Sequence, residues 1–277
     1  MKIESLLDLK GLHTIEPTFA DLTEDVYTGL ILREEGEEAR LVVDEQEHPL
    51  AFAIRTERGW QIAHFLFRNA IIEVLERFEQ IGGDIYQEKR EVYLSMVREF
   101  YSRELMDRVT PAVEDVTGER ISLVREILEE RWDERNGEVC LDCCCGSGIG
   151  SSALCALGMI PLAYDNDPAL LSLGLRQGRL LPESTMWIDA TRATRYCPTL
   201  HRGTAFMLGE INSYTEEMWK QITHELVALC DEVIITVGTA REAGKVEEWC
   251  RKQGRSVTRE EHAVDPLYER WICQISR

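Results

Sequence analysis

The rhythm of apolar and polar positions changes near residue 136. Before that point the pattern is mixed. Residues 1–25 show no strong period and read as a capping segment. Residues 26–56 carry three short β-prone runs split by acidic turns, and REEGEE predicts a hairpin turn between TGLIL and ARLVV. From Trp60 the apolar residues fall at helical spacing. WQIAHFLFRNAIIEVLERFEQIGG predicts a helix stopped at Gly82-Gly83, residues 85–108 a second with Pro111 beyond it, and residues 119–135 a third, rich in Glu and Arg.

After Asn136-Gly137, short apolar runs alternate with helical ones. EVCLDCCC, IPLAYDND, TMWIDAT, TAFMLGEI and EVIITVG read as strands, with helices at SSALCALGM, PALLSLGLRQGRL, EEMWKQITHELVALC and AREAGKVEEWCRKQG. SVTREEHAV and RWICQIS read as a closing antiparallel pair. Strands alternating with helices predict a doubly wound, mainly parallel α/β sheet covered on both faces. The expected organisation is an N-terminal α+β/helical accessory region over 1–135, covering the substrate, and a seven-stranded Rossmann-like domain over 136–277.

Composition narrows the function classes. With 44% hydrophobic and 29% charged residues in 277, the chain can bury a real core. Its longest apolar runs, such as Val233–Val237, fall well short of the roughly 20 residues a membrane helix needs. The opening MKIESLLDLKG has acids within its apolar stretch, unlike a secretory signal, so a cytoplasmic protein is expected. Nine cysteines, an odd number with three consecutive, read as reduced thiols rather than a disulfide framework. The net charge is −19. Residues 1–137 carry 17 basic and 31 acidic side chains, a net −14, and residues 138–277 the remaining −5. A nucleic-acid surface needs a basic face, so the balance argues against DNA or RNA as partner.

The chemistry concentrates in VCLDCCCGSGIG, at the first strand-to-helix turn, where ligands of such sheets gather. Glycines there let backbone approach a ligand, and the next helix points free N–H groups at it. A dinucleotide fingerprint would need G-x-G-x-x-G, but from Gly146 the chain reads G-S-G-I-G-S. A phosphate loop would need Gly-Lys-Ser/Thr, and there is no lysine between Glu138 and Lys220.

LDCCCGSGIG, then AYDNDP, then WIDA resemble the first three motifs of the class I S-adenosylmethionine-dependent methyltransferases. Leu141-Asp142 match the opening of the first motif, and Cys145-Gly146-Ser147-Gly148 its core. The resemblance covers about half the chain. It implies a cofactor site in which Asp142 serves the methionine end and Cys144, Cys145, Gly146, Ser147 and Gly148 form the wrapping turn. Asp165 would hold the ribose hydroxyls, Asn166 would lie beside the adenine, and Asp189 with Ala190 would meet the adenine amino group. Such a ligand carries a sulfonium, an ammonium, a ribose diol and an adenine but no phosphate, which suits carboxylates rather than lysines. Asp167 reads as a helix N-cap before Pro168.

One position departs from the family. Cys144 stands where glycine is usual, and cysteine replaces it comfortably only if φ stays negative. A metal reading of Cys140-x-x-Cys143 lacks a second pair, so no metal is expected and the cysteines read as packing or turn residues. The acceptor side of such sheets lies after the fourth strand. The chain has no D/N-P-P-Y/F there, but Glu210, Asn212 and Tyr214 are placed to line an acceptor pocket, with Glu210 a candidate base. Tyr101 and the Glu99–Arg103 stretch are candidates for a lid over the cofactor. The expected function is methyl transfer to a small molecule or protein rather than a nucleic acid, with no membrane partner. The competing reading is a non-catalytic module that keeps the fold for binding or for supporting a partner.

Overall fold

The computed structural model describes residues 2–114, 116–132, 136–262 and 269–277, and the chain divides into two units between Glu104 and Leu105. The first contains α1 (Ile3–Leu6), β1 (Leu12–Thr14), a 3-10 turn (Phe19–Thr23), α2 (Val26–Ile31), β2 (Ala39–Val43), β3 (Pro49–Thr56), β4 (Gly59–His64), α3 (Ile72–Ile81), β5 (Gly83–Gln87) and the start of α4 (Arg90–Arg108). Its sheet runs β1-β4-β3-β2-β5, an antiparallel β2–β3–β4 meander with a parallel strand at each edge. Leu41, Phe52, Ile54, Phe65, Val74 and Phe78 share its core.

Three expectations fail here. TGLIL lies within and just after helix α2 rather than in a strand, because Thr28 and Ile31, three apart, are the residues it buries. The meander turns instead at Asp44, whose Oδ1 accepts from the Gln46 and His48 amides at 2.9 and 2.8 Å, and at Gly59, with φ +105°. Residues 60–64 are strand, paired with Ala51–Arg55. The run WQIAHFLF satisfies strand and helix periods alike, and only its turn chemistry separates them. Residues 83–87 form a further strand before α4. The stop at Gly82 is observed: φ is +76° and its N–H donates to the Phe78 carbonyl at 2.8 Å. Tyr101 is buried within this unit, and its hydroxyl donates to the Glu16 carbonyl at 3.0 Å.

The second unit holds α5 (Gly118–Glu129), β6 (Val139–Cys143), α6 (Ile149–Ala156), β7 (Ile160–Asp165), α7 (Pro168–Arg176), β8 (Thr185–Trp187), β9 (Leu200–Ala205), α8 (Glu216–Leu229), β10 (Cys230–Val237), α9 (Ala240–Lys252), β11 (Ser256–Glu261) and β12 (Trp271–Ser276). The sheet order is β11-β12-β10-β9-β6-β7-β8. Strands β6 to β10 are parallel to one another, and β12 runs antiparallel to both β10 and β11. This is the doubly wound, mainly parallel seven-stranded sheet with a reversed final strand that the alternation and the resemblance predicted.

The expected boundary at 135/136 moves upstream. Val124, Ile127, Leu128 and Trp132 pack with Cys140, Leu154, Met159 and Ile234, so the acid-rich α5 is a layer on this sheet. Leu105, on α4, packs likewise with Cys145, Leu171 and Leu180. Residues 133–135 of the third expected helix and Ala263–Val264 of the sixth expected strand lie outside the described residues. The fourth strand begins four residues before expected and ends at Ala205, so residues 206–211 leave the sheet. Winding starts at β6, proceeds to β7 and β8 on one side, and returns to β9 and β10 on the other. The order therefore reverses between β6 and β9, where a crevice opens at the strands' carboxyl ends.

Candidate functional site

Each of the three strands that start the winding carries an acid within two residues of its carboxyl end, and all three acids line one cavity of about 1030 Å³. Asp142, in β6, is buried. Its Oδ2 accepts from Ser151 Oγ at 2.6 Å and its Oδ1 from Thr204 Oγ1 at 3.4 Å. Burial pushes its pKa up to about 6, against the lowering pull of the Ser151 and Thr204 hydrogen bonds. Asp165, at the end of β7, accepts from the Gly146 amide on Oδ2 at 2.9 Å and from the Asp167 amide on Oδ1 at 2.8 Å. It therefore staples the glycine turn to the neighbouring strand, and burial raises its pKa too. Asp189, two residues past β8, caps the Ala190–Arg195 turn by accepting from the Thr191 amide at 2.9 Å.

The turn between β6 and α6 carries its glycines for separate reasons. Gly146 has φ +52°, and a Cβ there would meet only Leu170 Cδ1, at 3.9 Å. Its cavity face is bare backbone. Gly148 has φ +88° and faces the other way, where a Cβ would press to 2.9 Å from Leu180, so it serves packing and does not line the cavity. Gly150, unassigned in the sequence reading, sits in the first turn of α6. A Cβ there would lie 2.6 Å from Asp142 Oδ1 and 2.8 Å from Phe206. A glycine inside a helix was the available signal.

Cys144 overturns an expectation. Its φ is +54°, in the left-handed region, not negative. A side chain there costs roughly 1–2 kcal/mol. Cys144 is half-buried and lines the cavity, and its Sγ lies 3.8 Å from Cys143 Sγ. β6 ends at Cys143, so the strand read over EVCLDCCC stops before Cys144 and Cys145. Burial raises the thiol pKa of Cys140 and Cys145; at Cys144 the hydrogen bond from Cys143 comes first and burial second. Among the described residues no group of three or more His, Cys, Asp or Glu is placed to hold a metal ion.

The cavity thus brings together Asp142, Cys144, Cys145, Gly146 and Ser147 from the turn, Asp165 and Asn166 from β7, and Asp189 and Ala190 from beyond β8. Asp167 caps α7 as expected, accepting from the Ala169 and Leu170 amides at 2.8 and 3.1 Å.

The expected acceptor residues do not join them. Glu210, Asn212 and Tyr214 are absent from the cavity lining among the described residues. Their segment is consumed in starting α8. Asn212 Oδ1 accepts from the Tyr214 and Thr215 amides at 2.9 and 3.3 Å, Thr215 Oγ1 donates to the Glu210 carbonyl at 2.6 Å, and Tyr214 is 96% exposed. The wall after β9 is instead Phe206, Met207 and Gly209, faced by Met218, Trp219 and Ile222 of α8. Thr117, Glu119, Arg120 and Leu123 of the α5 start complete it. These were missed because β9 was placed four residues too late. Among the described residues no helix is long and apolar enough to cross a membrane.

No family model matches the chain, and no curated protein matches it. Its fold is similar to that of several solved structures. One is a putative RNA methyltransferase from Pyrococcus horikoshii, with 14% identity and TM-score 0.48 over 64% of this chain and 96% of that one. Another is magnesium protoporphyrin IX methyltransferase from Synechocystis PCC 6803 with bound SAM, with 15% identity and TM-score 0.46 over 66% and 97%. A third is ribosomal protein L11 methylase from Lactobacillus delbrueckii subsp. bulgaricus, with 16% identity and TM-score 0.45 over 58% and 80%.

Proposed function

We propose that the chain binds S-adenosylmethionine in this cavity and transfers its methyl group to an acceptor held beside it. The observation that carries the reading is the convergence of Asp142, Asp165 and Asp189, from three successive strands, around a glycine turn whose cavity face is bare backbone. The donor set fits such a ligand. Asp142 would take the ammonium of the methionyl end. Asp165 keeps lone pairs beyond its two amide bonds for the ribose hydroxyls, since each ionised carboxylate has about four acceptor sites. Asp189, with Asn166 and Ala190 nearby, would meet the adenine.

The same set disfavours a phosphate ligand. Arg120 is the cation among the described lining residues, and it is paired with Glu269 at 2.9 Å. When bound, the ligand supplies an electrophilic methyl on a sulfonium. The protein's part is placement and the exclusion of water, which can supply much of the rate for such a displacement.

Calorimetric titration with S-adenosylmethionine and S-adenosylhomocysteine, beside NAD and ATP, tests the reading. Micromolar binding of the first pair, weakened at least tenfold in Asp165→Asn, is expected. Equal or tighter binding of NAD or ATP overturns it. Transfer of a labelled methyl group separates an enzyme from a binding module.

A further inference from the structure

The cavity has a second, apolar end that the cofactor reading leaves unused. At about 1030 Å³ it stands at the top of the roughly 300–1,000 Å³ range of small-molecule sites, and its lining continues past the three acids to Phe206, Met207, Met218, Trp219 and Ile222. Its wall is built in advance. A Cβ on Gly209 would lie 2.8 Å from Trp219 Cζ2, so the indole rests directly against bare backbone. Trp219 is half-buried and lines the cavity.

Met207, on the same lining, has φ +53°, a strained conformation for a non-glycine residue. A buried chain fixes it: the Met207 amide donates to Thr236 Oγ1 at 2.7 Å, and that hydroxyl donates to Glu269 Oε2 at 2.8 Å. Arg120 closes the chain on Glu269 Oε1 at 2.9 Å. Strain held by buried polar groups beside an open apolar wall is the mark of a shaped site.

Charge restricts the occupant. Asp142, Asp165, Asp167, Asp189 and Glu119 share the cavity with Arg120, which is already paired. An anion, above all a polyphosphate backbone, meets repulsion without compensating cations.

We propose that the acceptor is a planar aromatic small molecule bearing a hydroxyl or amino group and no negative charge, its ring stacked on Trp219 between Met207 and Phe206. The inference rests on the cofactor reading above. In the transfer, a lone pair of the acceptor oxygen or nitrogen forms the new bond to the methyl carbon. The carbon–sulfur bond breaks with its electron pair going to sulfur, and the acceptor's proton passes to bulk water.

The test uses the full chain, with 2-naphthol and 5-hydroxyindole as probes and a mixed-sequence single-stranded RNA as competitor. Each is titrated calorimetrically into protein with and without S-adenosylhomocysteine, then assayed for labelled-methyl transfer. Expected are aromatic binding strengthened by S-adenosylhomocysteine, transfer to an aromatic probe, and aromatic affinity about tenfold weaker in Trp219→Ala. Trp219→Phe keeps a ring and recovers part of the affinity, while S-adenosylhomocysteine binding stays within about twofold in both variants. If S-adenosylhomocysteine binds but no aromatic probe does, or if RNA is the better acceptor, the acceptor class is wrong and the cofactor reading stands. If aromatics bind and S-adenosylhomocysteine does not, the cofactor reading fails and the acceptor role with it.

Discussion

Replacing Cys144 separately by Gly and by Ala should give stabilities in an unusual order. Both substitutions delete the same thiol and its 3.8 Å contact with Cys143 Sγ, so their difference isolates the backbone. At a residue with ordinary negative φ, glycine is less stable than alanine by roughly 0.5–1 kcal/mol, because it gains more freedom in the unfolded chain. At φ +54° alanine keeps a Cβ that crowds its own carbonyl, a penalty of roughly 1–2 kcal/mol that glycine escapes. The second effect outweighs the first. Cys144→Gly should exceed Cys144→Ala by about 0.5–1 kcal/mol, or roughly 1–4 °C in Tm for a protein of this size. Paired urea titrations of the two variants measure it. Equal stabilities, or alanine the more stable, would show that the turn does not hold residue 144 in the left-handed region. The account of a strained, ligand-facing turn would then fall.

Other consequences follow from the acids and thiols of the site. Asp142 has a folded pKa raised to about 6 from 3.8, so its contribution to stability is fully present below pH 3.8 and lost as pH rises through about 6. The loss is about 3 kcal/mol in all, and Asp142→Asn should flatten that fall when Tm is followed from pH 4 to 8. A ligand ammonium at Asp142 selects the ionised form, so S-adenosylmethionine affinity should climb through pH 6 in the wild type and not in Asp142→Asn. Asp165→Ala strips the acceptor from the Gly146 and Asp167 amides and should cost about 2–4 kcal/mol in denaturant melts; a loss below about 0.5 kcal/mol would contradict the staple. Gly150→Ala places a methyl 2.6 Å from Asp142 Oδ1 and should cost about 1–3 kcal/mol by the same assay. In thiol titration the exposed Cys155 should react first, and S-adenosylhomocysteine should slow alkylation of the half-buried, cavity-lining Cys144 and not of Cys155.

The sheet around β6 was readable because its strands are short, its helices start at clear caps such as Asp167, and its ligand turn is written in glycines. The cofactor acids were readable for the same reason: each sits within two residues of the carboxyl end of a strand, Asp142 just inside β6, Asp165 at the end of β7 and Asp189 just past β8. The N-terminal unit was not. VYTGLI has β-prone residues but too few to alternate, and burial of Thr28 with Ile31 settles it as helix. WQIAHFLF fits both periods until Gly59 is seen to close a hairpin at φ +105°. The ionisable, acid-rich face of α5 hid the fact that Val124, Ile127 and Leu128 belong to the sheet's core. At the acceptor end the error was one of register. Placing β9 late made Glu210, Asn212 and Tyr214 look like cavity residues, whereas Asn212 and Thr215 spend their side chains on the first turn of α8. The sign of φ at Cys144 has no signature in residue type, since cysteine ordinarily keeps φ negative and the chain holds it at +54° in a turn between a residue bonded to Asp165 and the end of β6.

A crystal structure of the full chain grown with S-adenosylhomocysteine tests the central claim most directly. The account predicts ribose hydroxyls within hydrogen-bond distance of Asp165, the adenine against Asn166 and Asp189, and the sulfur turned toward Phe206, Met207 and Trp219. A ligand lodged elsewhere, or a cavity that excludes it while the protein stays folded, would contradict it.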